Sequence, residues 1–179
     1  MLWIQLRMET LHRDGQLNMV DLREGELMSI KLESIYSRTN KDAAYSALYQ
    51  LLAERQPYES ISHVGMPTIK EHEDFLNRKP YKGWYLIIQG EGNVVGSIYL
   101  SFQNEIGIAI FNRHRRNGYG KEAIKKLIEM YPNERYFLAN INPINEKSEK
   151  LFQKLGFILI QHTYKYDNTQ RPGETNAVS

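Results

Sequence analysis

Apolar and polar positions fall into their clearest pattern in the middle of the chain. Residues 83–89 read GWYLIIQ, 94–101 read VVGSIYLS and 105–111 read EIGIAIF, with GEGN and FQN between them. Short apolar runs bounded by turn residues predict a β-meander. In the last run Ile106, Ile108 and Ile110 share one face, because strand side chains alternate with period two. Residues 30–36 alternate as Ile30, Leu32, Ser34 and Tyr36, the pattern of a half-buried strand. Elsewhere the period is helical. Ala44, Leu48, Leu51 and Leu52 form a stripe behind Thr39-Asn40, with Asp42 three residues after Thr39 as a loose capping box, and the helix should end before Pro57. Thr68 and Glu71 form a second capping box, opening a short helix through Phe75 and Leu76 that Pro80 closes off. Ala123, Ile124, Leu127 and Ile128 recur at helical spacing, and Pro132-Asn133 breaks the pattern. Asn145 starts a helix carrying Ser148, Leu151, Phe152 and Leu155 on one face, and Gly156 sits where a left-handed C-terminal cap belongs. RYFLANI at 135–141 and FILIQHTYKY at 157–166 predict two more strands. The order is strand, two helices, three-strand meander, helix, strand, helix, strand: one mixed α/β domain without internal repeats.

Composition narrows the function. At 179 residues, 41% hydrophobic and 25% charged, the chain has the size and make-up of one globular domain. Its net charge of +2 is too small to argue for nucleic acid or a membrane surface. The absence of cysteine excludes disulfides, thiolate metal sites and cysteine nucleophiles. The five histidines show no metal-ligand spacing, so no metal is expected. No apolar run approaches a membrane span, and MLWIQLRMETLHRDG lacks the apolar core of a signal peptide, which makes the cytoplasm the default location. Residues 1–27 carry neither period nor motif. Met28 stands just before the first strand, and a purine-rich ribosome-binding sequence read in frame would encode residues such as Arg23-Glu24-Gly25-Glu26. The expected organisation is an extension at 1–27, upstream of a candidate start, a domain at 28–167 and a disordered tail at 168–179.

The stretch RRNGYGKEA, 115–123, carries candidate chemistry. A P-loop needs glycine five residues before Gly120-Lys121 and Ser or Thr after them; Arg115 and Glu122 stand there instead. Gly118, Gly120 and Ala123 fit the dinucleotide fingerprint, but seven residues separate Ile110 from Gly118, and the next strand ends in Ala139-Asn140-Ile141-Asn142 with no acid for a ribose. What remains is a long loop feeding a helix N-terminus. Its glycines let backbone amides converge on an anion, with Arg115 and Arg116 as countercharge, or else it is a plain basic turn.

A second motif bears on this choice. ANINPINEKSEKLFQKLGF puts Asn145 and Ser148 in the first turn of a helix behind a strand. Together with Arg115-x-x-Gly118-x-Gly120, correctly ordered and spaced, it resembles the GCN5-related N-acetyltransferase (GNAT) superfamily over roughly residues 29–166. The resemblance implies a mostly antiparallel central sheet with flanking helices and a splayed pair of parallel strands that holds CoA. It implies acetyl-CoA as cosubstrate, with its pyrophosphate on Arg115, Arg116, Asn117, Gly118, Tyr119, Gly120 and Lys121. The splayed strand would meet the pantetheine arm at Ile108 and Ile110. Asn145 would reach the pantetheine region or serve simply as an N-cap, with Ser148 beside it. The reaction implied is acetyl transfer to a primary amine by direct attack in a ternary complex.

That reaction needs a neutral amine, an oxyanion donor and a route for the thiolate's proton. The family resemblance offers Glu105 as base, where a solvated strand end is the plainer reading, and a backbone N–H near Ile110 as oxyanion donor. Many relatives carry a proton-donating tyrosine where this chain has Phe152, which has no proton to give and is expected to line the pantetheine tunnel. Tyr85, Tyr99, Tyr119 and Tyr164 are other candidates. The acceptor pocket is expected around ERQPYESISHVGMP, residues 54–67, with Tyr58, Trp84 and Tyr85 as substrate residues and Glu59 and His63 as further options. The acceptor would be a small-molecule or protein amine, and the protein a monomer or homodimer. A CoA-binding module with weak or lost turnover is the alternative. A nucleic-acid binder built on RHRRNGYGK is disfavoured, because no RNP-like aromatic motif or recognition helix accompanies it.

Overall fold

The computed structural model describes residues 29–37, 41–59, 65–164 and 166. The expectations for 1–27, Met28, the Thr39-Asn40 cap, His63 and the 168–179 tail lie outside these residues. At the centre stands the predicted meander. β1 (Ile30–Ser34), β2 (Gly83–Gln89), β3 (Asn93–Leu100) and β4 (Ile106–Ile110) form one antiparallel sheet in the order β1-β2-β3-β4. Four helices accompany it: α1 (Lys41–Ala53), α2 (Ile69–Asn77), α3 (Tyr119–Met130) and α4 (Glu146–Lys154).

Helices cover both faces of the sheet, which explains why the strands read as near-continuous apolar runs. On one face Ile87, Ile98, Leu100 and Ile106 pack with Ala123, Ile124 and Leu127 of α3 and Phe152 of α4. On the other, Trp84, Leu86, Ile88 and Phe111 pack with Ala44, Tyr45, Leu48 and Leu51 of α1 and Leu76 of α2. A bulge adjusts the pleat of β3: Ile87 pairs with Gly96 and Ile88 with Val94, leaving Val95 opposite no residue. Gly107 of β4 is required by its neighbour, since the Tyr99 ring fills the space where a Cβ would stand.

The caps predicted at Thr68, Asn145 and Gly156 are present. Thr68 Oγ1 accepts the Glu71 N–H at 3.2 Å, and Glu71 Oε2 accepts the Thr68 N–H at 2.8 Å. Asn145 Oδ1 accepts the Ser148 N–H at 3.2 Å, and Gly156 takes φ 89° after α4. α1 ends at Ala53, before Pro57, and Pro57–Glu59 forms one 3-10 turn.

Two predicted strands are not formed. Of 135–141, only Leu138 pairs, in a single parallel bridge with Glu105. Residues 157–164 join no ladder, and Ile158, Leu159 and Ile160 stand 80%, 74% and 71% exposed. Both stretches have strand composition, but a strand also needs a partner edge, and composition does not supply one. No helix among the described residues is long and apolar enough to cross a membrane. No cluster of three His, Asp or Glu among them is arranged to hold a metal.

His72 of α2 tests the second core. It is buried, edge-on to Tyr49 at 5.3 Å, with Nε2 unpartnered. Burial holds its pKa below the ordinary histidine value. The unfolded chain takes up this proton near pH ~6.5, the folded protein only at lower pH, so stability is lost as pH falls through and below that point. Tm should fall between about pH 7.5 and 5.5, and His72→Gln should flatten that part of the profile relative to wild type. An unchanged slope in the variant would contradict this.

Candidate active site

β4 defines the site through its two edges. Toward β3, Ser101 N–H donates to Glu105 O at 2.9 Å and Phe111 N–H to Val95 O at 3.0 Å. Antiparallel ladders alternate, so odd-numbered residues from 105 to 111 face β3 and even-numbered ones face the outer edge. Ile106 N–H accordingly donates outward, to Leu138 O at 2.8 Å, while Leu138 N–H donates to Asn104 O at 2.9 Å. Beyond this bridge, 139–141 makes no backbone bond to β4 among the described residues. The two segments part, leaving the Ile108 N–H and C=O and the Ile110 N–H on an open wedge.

The glycine loop lies at the mouth of this wedge. Arg116 and Gly118, on either side of Asn117, both take positive φ, 67° and 79°. Such left-handed residues turn successive amides toward a common concavity. Gly118 caps α3 without a side-chain bond, and the first N–H bonded back to it is that of Glu122, at 3.2 Å. The N–H groups of Tyr119, Gly120 and Lys121 thus have no intrahelical acceptor. The absent side chain of Gly120 keeps this spot open: a Cβ there would stand 3.5 Å from Leu151, 3.8 Å from Ile108 and 3.9 Å from Ile110. Ile108, Ile110, Gly120 and the α4 face are therefore gathered at one place. Arg116 and Lys121 are exposed and make no hydrogen bond or ion pair among the described residues.

Arg115 is differently engaged. Its Nη1 and Nη2 donate to Glu59 Oε1 and Oε2 at 2.6 and 3.2 Å, and its Nε donates to Ile110 O at 3.1 Å. Burial works to raise the Glu59 pKa, but bonds from Arg115 and the Gln56 N–H and the charge of Arg115 hold it below the usual carboxylate value. Glu54 Oε2 accepts the Asn112 N–H at 2.7 Å. A second brace stands at the root of the wedge. Lys82 Nζ donates to Asn104 Oδ1 and Glu134 Oε1, and Asn104 Nδ2 to Glu134 Oε2, each at 2.8 Å.

Glu105 sits where the wedge closes, and its Oε1 accepts from Asn140 Nδ2 at 2.8 Å. This partner was missed in the sequence, where Asn140 drew notice only as the lack of an acid. Asn145 is buried and spends Oδ1 on its cap, leaving Nδ2 without a bond among the described residues. Ser148 is half-buried beside it. Phe152 is buried in the core, edge-on to Phe157 at 5.0 Å, which makes it a core residue first. Of the expected acceptor residues, Tyr58 is half-buried in the turn next to Glu59. Trp84 and Tyr85 cannot share a pocket, because adjacent strand residues point to opposite faces. Trp84 is buried among Phe75, Tyr81 and Tyr99, while the Tyr85 hydroxyl meets that of Tyr131 at 2.8 Å on the other face. Glu59 is already neutralised by Arg115, so it is not free to hold an amine.

An antiparallel sheet that opens at one edge, past a single parallel bridge, beside a glycine loop and a helix N-terminus fits the fold that the family resemblance implies. Residues 45–157 match the acetyltransferase (GNAT) family. The chain belongs to that family and is an enzyme of the N-acetyltransferase class. It is 30% identical over 139 residues to YjdG of Bacillus subtilis (strain 168), an uncharacterized N-acetyltransferase, covering 64% of this chain and 83% of that protein. Its fold is similar to a domain from Methanocaldococcus jannaschii, with TM-score 0.61, 21% identity and coverage of 75% and 92% of the two chains. It is also similar to the spermidine N-acetyltransferase of Vibrio cholerae in complex with CoA and spermine, with TM-score 0.55, 16% identity and coverage of 74% and 83%.

The cap role of Asn145 is separable from any other. Asn145→Ala should lower stability by about 1 kcal/mol, whereas Asn145→Asp, which keeps the acceptor oxygen, should cost much less. Urea denaturation of both variants checks this, and equal losses would show that the cap is not what Asn145 contributes.

Proposed function

We propose that the protein transfers the acetyl group of acetyl-CoA to a small primary amine by direct attack in a ternary complex. The observation that carries this reading is the open edge of β4, whose Ile108 and Ile110 N–H groups have no partner among the described residues and open directly onto the glycine loop. Paired amide groups along a pantetheine arm suit such an edge as a further strand would. The N–H groups at 119–121 and the free charges of Arg116 and Lys121 suit a pyrophosphate at a helix N-terminus. Asn145 Nδ2 and Ser148 are proposed to contact the pantetheine region from α4.

Acetyl-CoA supplies the thioester carbonyl; the chain's own groups would do the rest. The Ile110 N–H faces the open edge and would stabilise the oxyanion. Glu105 would take the amine proton, directly or through water, with Asn140 holding Oε1 and Oε2 unbonded among the described residues. Phe152 offers the thiolate no proton, so the sulfur would leave as the thiolate and take its proton from solvent. Acceptor recognition is assigned to the 54–59 segment with Tyr58, since Trp84 is buried and Tyr85 lies on the far face. The Vibrio cholerae protein is a spermidine acetyltransferase seen with spermine. A small amine is accordingly the first acceptor class to screen. A second reading, a CoA-binding member with weak or lost turnover, rests on Phe152 standing where many relatives carry a proton-donating tyrosine. Thiol release from acetyl-CoA across a panel of amines separates the two.

Gly120→Asp puts a carboxylate at the mouth of the wedge, and CoA affinity measured by calorimetry should fall at least about tenfold, roughly 1.4 kcal/mol. Unchanged affinity in the folded variant would refute the donor site. Glu105→Gln should lower kcat by roughly 10²-fold or more, the usual worth of a positioned base, with CoA affinity nearly constant. The loss should shrink at high pH, where the amine needs no help. Full activity of Glu105→Gln would leave Glu105 as a strand end.

A further inference from the structure

Arg115 opens the glycine motif, yet three of its N–H donors are already committed. Two go to the Glu59 carboxylate as a bidentate pair, and the third caps the carbonyl of Ile110 at the end of β4. An exposed ion pair would contribute little. This one is two-pronged, its side chains are 33% and 17% exposed, and it carries a third bond to backbone. Glu54 adds a parallel tie through the Asn112 N–H. Two carboxylates from the segment following α1 thus grip the connection between β4 and α3. Arg116 and Lys121, by contrast, are exposed and free among the described residues.

We propose that Arg115 and Glu59 are a positioning pair, not a phosphate ligand and an amine ligand. They fix the end of β4 at Ile110 and fasten the acceptor-side segment 54–59 to the donor-side loop. The phosphate charge is left to the loop amides, Arg116 and Lys121. This rests on the acetyl-CoA reading of the site. The donor edge and the acceptor segment then share one fastening. Breaking it must weaken binding of the pantetheine arm, which carries no phosphate, as much as binding of whole CoA.

The test is a double-mutant cycle on the full chain with Glu59→Gln, Arg115→Gln and both together. CoA binding is measured by calorimetry, and pantetheine binding by NMR titration. Each single variant should weaken both ligands by about five- to tenfold, the scale of a lost charge-assisted bond, and the double variant no more than the worse single. If Arg115→Gln weakens CoA but not pantetheine, while Glu59→Gln leaves CoA unchanged or tighter, Arg115 is a phosphate ligand and the proposal fails. Should Glu59→Gln not fold, Glu59→Asp, which keeps the charge but shortens the reach, reads the same comparison. A wild-type protein that binds no CoA would overturn the donor reading instead. The pair is then tested by hydrogen exchange without ligand: both variants should speed exchange of the 110–118 amides, and unchanged rates overturn it.

Discussion

Everything distinctive in this structure follows from one parallel bridge. Glu105 and Leu138 pair, with Leu138 accepting from the Ile106 N–H and donating to the Asn104 carbonyl, and the two segments then separate. Backbone N–H and C=O groups in a protein interior demand partners, and an open sheet edge is ordinarily a liability. Here the edge is kept open by design of the pleat: odd residues of β4 satisfy β3, and even residues are turned to the gap. The gap is short, lying between Ile106, already bonded to Leu138, and the Ile110 carbonyl, already capped by Arg115.

Both ends of that gap are braced by charge. At the root, Lys82, Asn104 and Glu134 join the β3–β4 turn to the loop after α3. The hydrogen bonds of Lys82 and Asn104 hold the Glu134 carboxyl below its usual pKa. Asn104 occupies positive φ, 63°, a conformation asparagine tolerates better than most residues, and this lets its backbone meet Leu138 while its side chain faces the pair. At the mouth, Glu59 and Glu54 hold the strand's end and the following loop. The apolar layers on both faces fix where β4 lies, and the polar braces hold the turn before it and the loop after it.

Local signals are legible in the sequence because their physics is local. A capping box needs four consecutive residues, a helix stripe needs two turns, and a glycine cap needs one position, so Thr68, Asn145, Gly118 and Gly156 could be placed without knowing the fold. Strand composition at 135–141 and 157–166 misled because pairing is decided by a distant edge. Trp84 and Tyr85 were grouped as neighbours although period two already separates them. The open groups of Ile108 and Ile110 followed from family resemblance, and their phase against β3 became visible only in the register. The partners of Arg115 could not be foreseen: Glu59 lies far back in the chain, in a stretch with no period. An arginine in a glycine motif looks the same in sequence whether it faces an anion or a carboxylate.

The outer edge of β4 is the feature on which donor binding would depend. The direct measurement is amide hydrogen exchange, resolved by residue, on the wild-type protein with and without CoA. Insertion of a pantetheine arm into the wedge should slow exchange at Ile108 and Ile110 and at 119–121, while Gly107 and Ala109, already bonded to β3, change little. Protection spread evenly along β4, or absent from Ile108 and Ile110 while CoA is bound, would contradict it.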